Sequence, residues 1–239
     1  MIALLRYQTA ILLRSHRWVF PLIAYGALVS VGAAGSTTLA EGLGWSAAML
    51  VPVLAFLTRS MLTAEPDAAR ACVAAAAGPV RAQLAALLAA FGGGIVLAVA
   101  GAIFTLATSE SVAKHPGGSV ADKVTATLDH PVVLVAGLVT ALVCLLVGSA
   151  VGALCNPPLL RHPGAAMMAT LAVAIFALAS DVSPAGAALH ESSAAQNLPQ
   201  VAQWPGTVPL IAAVCLLAVT WTASTYAAAR RENRSPGAT

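Results

Sequence analysis

Long apolar runs alternate with short polar breaks along this chain, and the runs are too continuous for the one-sided helices of a soluble core. Six of them approach or exceed the ~20 apolar residues a helix needs to cross a bilayer. They cover 18–39, 46–64, 79–108, 131–154, 164–180 and 207–229. The pattern predicts an all-α integral membrane protein with six transmembrane helices. An N-terminal interfacial amphipathic helix over 1–17 precedes them, and a basic cytoplasmic tail over 230–239 follows.

Within 1–17, Ile2, Leu5, Thr9, Leu12 and Leu13 fall on one helical face and Arg6, Gln8 and Arg14 elsewhere, as for a helix lying at a headgroup surface. The bases stand among and after the apolar residues, the reverse of a secretory signal, so an uncleaved N-terminus is expected. The first span carries Gly26, Ser30 and Gly32, small enough for close helix approach. Residues 40–45 read as a tight outer turn. Pro52 is placed to kink the second span, with Arg59 near its inner end. Gly92, Gly93 and Gly94 interrupt the third span, where they invite a hinge or a close crossing. Gly148 and Gly152 form a GxxxG in the fourth, which lines both glycines on one face for packing or dimerisation. Residues 181–206 form an outer stretch with helical turns over 185–189 and 193–201, separated at His190 and Glu191.

The stretch 65–83, EPDAARACVAAAAGPVRAQ, is too short and too polar at its start to span, yet it reads as helix. Pro66 suits a first helical position, and Asp67 complements the positive end of the helix dipole. Gly78 and Pro79 then stop this helix and start the next.

Charge fixes the orientation. Only 9% of the 239 residues are charged and 59% are hydrophobic, against about 25% charged in soluble domains. With both termini inside, Arg6, Arg14, Arg17, Arg59, Arg70, Arg81, Arg161, Arg230, Arg231 and Arg234 all fall on the cytoplasmic side, and only Lys114 and Lys123 fall outside. This is the positive-inside arrangement. The basic residues are sorted by side rather than gathered in a patch, so no nucleic-acid partner is expected. Cys72, Cys144, Cys155 and Cys215 show neither a disulfide framework nor metal spacing.

The chemistry of an enzyme or a proton relay is missing. The spans hold no deep ionisable group besides Arg59, no HExxH, and no GxSxG around Ser149. His115, His130 and His190 share the outer side with Asp122 and Asp129 but match no metal-ligand spacing. No catalytic residue, no metal and no cofactor in this chain is expected.

A surface helix between spans two and three, a basic interfacial helix before span one, the sequence Gly78-Pro79-Val80-Arg81, the Ser183-Pro184 region and the Arg230-Arg231 terminus together carry a resemblance. The chain resembles the permease subunits of ABC-2 type transporters, in the alanine-rich style of high-GC bacteria. The resemblance covers the whole chain in architecture, with loose motifs. It implies a permease subunit of an exporter in the bacterial cytoplasmic membrane, moving an amphiphilic or hydrophobic substrate such as an antibiotic, lipid or peptide. ATP and magnesium would be bound by a separate ABC-type ATPase subunit, because this chain has no Walker A sequence. The ATPase-coupling region would comprise Glu65, Pro66, Asp67, Arg70, Gly78, Pro79 and Arg81, with Glu65, Asp67 and Arg70 as its polar contacts. A second permease subunit, a like copy or a sister chain, would pack on the first and fifth spans, with Gly26, Ser30 and Gly32 as interface residues. Phe56, Phe104 and Phe176 are candidates by type for the transport path. Two other readings stay open on the residues alone: a membrane scaffold or immunity protein, and a facilitator that uses no ATPase.

Overall fold

The computed structural model of the chain describes residues 2–16, 18–35, 39–108, 131–155, 163–180, 183–194 and 207–232, which are helical apart from short turns. In chain order the helices are α1 (Ile2–Ser15), α2 (Val19–Gly35), α3 (Leu39–Leu62), α4 (Asp67–Ala77), α5 (Pro79–Thr108), α6 (Pro131–Leu154), α7 (Pro163–Ala179), α8 (Pro184–Ala194) and α9 (Thr207–Glu232). Among the described residues, five stretches are long and apolar enough to cross a membrane: Glu41–Leu62, Pro79–Thr108, Val135–Leu154, Met167–His190 and Thr207–Tyr226. The fourth runs from α7 into α8. The protein is an all-α membrane protein.

The predicted first span is not among these five. Its helix, α2, has 17 residues, about 25 Å at 1.5 Å per residue, against a hydrocarbon thickness of about 30 Å. Of the polar outer loop that the sequence pattern places over 109–130 and the inner turn it places over 155–163, residues 109–130 and 156–162 lie outside the described residues.

α3 stands at the centre, touching α2, α5, α6, α7 and α8. Its closest partner is α6, every residue of which from Val143 to Ala153 is buried. A helix apolar on all sides belongs inside a bundle, and α6 is placed there. The two backbones approach closely because α6 offers glycine at the crossing. A methyl group at Gly152 would lie 2.6 Å from the Ala55 carbonyl oxygen and 2.7 Å from Thr58 Cβ, and one at Gly148 would lie 2.9 Å from the Val51 carbonyl oxygen. The GxxxG read from the sequence therefore packs within the chain. Between apolar helices in lipid, such close contact is the main source of association.

α5 crosses the same pair. The glycine triplet does not interrupt it, and α5 is one helix from Pro79 to Thr108. A methyl at Gly94 would stand 2.6 Å from a Leu54 methyl and 2.9 Å from a Leu145 methyl, so close crossing, not a hinge, is what the triplet supplies. Without water to take up a freed backbone group, an apolar setting keeps the helix bonded through such residues.

α3 begins at Leu39, so the predicted outer turn 40–45 is helical. Trp45 explains the difference. Its indole N–H donates to the Leu28 carbonyl of α2 at 2.9 Å, and its ring fills the space over Gly32. Tyr25 adds a second tie, its hydroxyl donating to the Ser46 carbonyl at 3.3 Å. Gly32 is thus occupied from inside the bundle. Gly26 and Ser30 face outward, with open space around Gly26 and the Ser30 hydroxyl bonded back to the Gly26 carbonyl at 2.7 Å.

The break expected at His190 and Glu191 is corrected: α8 runs unbroken through both to Ala194, and the rest of the turn expected over 193–201 lies outside the described residues. It returns into the bundle against α3, α6, α7 and α9. Ala185, Gly186 and Ala188 let it in, and Thr140 of α6 donates to the Ala188 carbonyl at 3.4 Å. Small residues over 185–188 favour close packing more strongly than the polar pair 190–191 favours a break.

The crossing of α3 and α6 makes a stability prediction. Gly152→Leu should destabilise the folded protein by about 1–3 kcal/mol or more through overpacking, read as a lower thermal midpoint in detergent. Gly26→Leu, which meets open space, should leave the midpoint unchanged. Equal midpoints for the two variants would contradict this packing.

Candidate functional site

The corner between α3 and α5 brings Gln8, Glu65 and Arg70 into one set of side-chain hydrogen bonds. α3 ends in a tightened turn, with the Thr63 N–H donating to the Arg59 carbonyl at 3.1 Å and the Ala64 N–H to the Met61 carbonyl at 3.2 Å. The chain then turns through Glu65 and Pro66. Pro66 stands one position before α4, at φ −58° and ψ 146°, rather than in its first turn. Its carbonyl accepts from the Arg70 N–H at 3.0 Å, and Asp67 opens the helix at its positive end.

At the far end one residue joins two helices. The Gly78 N–H closes α4 on the Ala74 carbonyl at 2.8 Å, and the Gly78 carbonyl opens α5 by accepting from the Ala82 N–H at 3.1 Å. Both are possible because Gly78 sits at φ 87° and ψ 143°, a region nearly closed to residues with a Cβ. Pro79 follows at the first position of α5, where its missing N–H costs nothing.

Arg70 fastens α4 to α3. Its guanidinium donates to the Leu62 carbonyl and, at 3.5 Å, to the Glu65 carbonyl. It thereby satisfies an orphan acceptor at the end of α3 and sets a positive charge at the negative end of that helix. Glu65 fastens the corner to α1, with Oε1 accepting from the Gln8 side-chain amide at 3.2 Å. Tyr7 approaches the same carboxylate. Its hydroxyl is held above the usual phenol range by lost contact with water first, then by the charge of Glu65 and by the hydrogen bond to it, with a smaller push from Cys72.

Gln8 is the residue that the sequence reading placed on the wrong face. It is 1% exposed. Leu5, Gln8 and Leu12 form the buried stripe of α1, while Thr9 is exposed and bonds back to the Leu5 and Arg6 carbonyls. Leu5 and Leu12 pack on Met61, Ala89 and Ala90. The 5–8–12 spacing could have revealed this, since it sets a glutamine between two leucines on one face. The Gln8 Oε1 atom has no hydrogen-bond partner among the described residues.

With Arg70 and Glu65 bonded inward, α4 shows outward Ala68, Ala71, Cys72, Ala75 and Ala76. Their spacing follows one helical face. Among the described side chains that face is small and uncharged, and Cys72 gives it a thiol. Arg81 is exposed just beyond the corner. Elsewhere, Phe56 pairs with Phe20 at a centroid distance of 5.6 Å, while Phe104 and Phe176 point out of the bundle. All four cysteines are free thiols. No group of three or more metal-ligating side chains gathers among the described residues.

No family model, no curated protein and no solved structure matches the chain.

Two substitutions test the corner. Glu65→Ala should leave buried Gln8 without its bond, at a cost of about 1–3 kcal/mol, seen as faster hydrogen exchange in α1. Adding Gln8→Leu should restore part of that protection by removing the orphaned amide. Gly78→Ala meets no atom within 4 Å, so its cost of about 1–3 kcal/mol should come from backbone strain alone, read as a lower thermal midpoint.

Proposed function

We propose that this chain is the membrane-spanning permease subunit of an ABC-type exporter, driven by ATP that a separate subunit binds with magnesium and hydrolyses. The observation that carries the reading is α4. It is a short helix with its own caps, set between long apolar helices, tied to α3 by Arg70 and to α5 by Gly78. Its outward face of small residues suits insertion into a groove of a soluble protein. The family resemblance of the sequence points to the same place.

In this reading α2 completes six spans, both termini are cytoplasmic, and α1 lies in the cytoplasmic interface of a bacterial plasma membrane. The arginine distribution supports that orientation. The ATPase grips α4 by its alanine face; Glu65 and Arg70 act behind that face, as ties to α1 and α3. Closure of the ATPase subunits on nucleotide then displaces α4 as a lever. Because one residue joins α4 to α5, and a guanidinium joins it to α3, the displacement reaches both helices. A second permease subunit, like or sister, packs on α2 and α7, where Gly26 and Ser30 are open. The path for an amphiphilic or hydrophobic substrate lies between the two subunits, and the outward Phe104 and Phe176 are available to it.

The test is a mild-detergent pull-down of the tagged chain from its native membrane. The expected result is recovery of a soluble partner bearing a P-loop. Ala71→Trp or Ala75→Trp should abolish that recovery while the thermal midpoint of the variant stays at the wild-type value. A partner retained by both variants would overturn docking through α4. Recovery of no ATPase with intact wild-type protein would favour a scaffold or immunity role instead.

A further inference from the structure

A groove of about 610 Å³ opens on the bundle surface between the start of α5 and the C-terminal half of α9. It is lined by Val80, Val219, Thr222, Ala223, Thr225 and Tyr226. The two threonine hydroxyls are turned to their own helix: Thr222 donates to the Ala218 carbonyl at 2.8 Å, and Thr225 to the Thr222 carbonyl at 3.0 Å. The walls therefore present mainly methyl groups and one aromatic ring.

The charge lies at one end. Arg230, one turn beyond Tyr226, holds its guanidinium 4.7 Å from the centre of the Tyr226 ring. Stacking there fixes the position of the group and leaves its in-plane N–H donors available. No carboxylate among the described side chains pairs with it. On α5 the exposed Arg81 follows Val80, which lines the groove. From Val219 to Arg230 the helix rises about 16 Å, which is about half the thickness of a bilayer's hydrocarbon core. An apolar groove on the bundle surface, with the Arg230 cation one turn beyond it, offers methyl groups to an acyl chain and a positive charge to an acidic headgroup.

We propose that this groove binds an anionic phospholipid, its acyl chain along Val219, Ala223 and Tyr226 and its phosphate on Arg230. Arginine forks match phosphate oxygens, and basic pockets between membrane helices select acidic headgroups. Lipid binding here does not depend on the transport reading.

Native mass spectrometry of the wild-type protein, released from nanodiscs of equal phosphatidylglycerol and phosphatidylcholine, tests this directly. One phosphatidylglycerol should be retained per chain, in preference to phosphatidylcholine. Arg230→Gln should lower that preference about five-fold, and Ala223→Trp should displace lipid of either headgroup. Millimolar inorganic phosphate should not displace the lipid, because the acyl chain holds it. Equal retention of the two lipids by wild-type protein would overturn the proposal. So would an unchanged preference in Arg230→Gln, or displacement by phosphate alone, which would mark a simple anion site. Should Ala223→Trp fail to fold, Val219→Trp blocks the same trough from its deeper end.

Discussion

The close approach of α3 and α6 is the contact on which the bundle is built. In an apolar medium the hydrophobic effect does not draw helices together, so association rests on how many atoms can meet. Gly148 and Gly152 bring α6 onto the backbone of α3 at Val51 and Ala55, and that distance sets the positions of the others. α5 then crosses with Gly94 against Leu54 and Leu145, and α8 returns on alanines beside Thr140. Side chains on α2, α7 and α9 are left facing outward, as lipid or a partner subunit requires.

Against this tightly packed centre, the polar corner at α4 follows a different logic. Its ties are hydrogen bonds and a charge at a helix end, each directed at a group that would otherwise be unsatisfied. The corner joins α1, α3 and α5 without a long loop. A displacement imposed on α4 is therefore shared among three helices.

Much of this was legible in the sequence. Long apolar runs announce spans by length alone, and five stretches of the described residues are long and apolar enough to cross a membrane. Pro66, Gly78 and Pro79 announce α4 because their backbone preferences are local. Where the reading went astray, tertiary contact outweighed local signal. Trp45 looked like an interfacial residue in a turn, but Gly32 offers its ring a seat and Leu28 offers its N–H an acceptor. Gln8 looked like surface, but Glu65, distant in sequence, meets it in the fold. The Gly148–Gly152 motif was legible as a packing face, while its partner could not be read from one chain, since a neighbouring helix and a second copy offer the same kind of surface.

The joint at Gly78 also constrains how the chain can change in length. Each residue inserted into α4 would turn its outward face by about 100° relative to α5 and advance it by about 1.5 Å. A single insertion would therefore carry the Ala71–Ala75 ridge around the helix and away from whatever it meets, though no side chain had been altered. Substitution of one small residue for another leaves that phase intact. An insertion in α4 thus changes the phase of its outward face, whereas exchange among the small residues of that face does not.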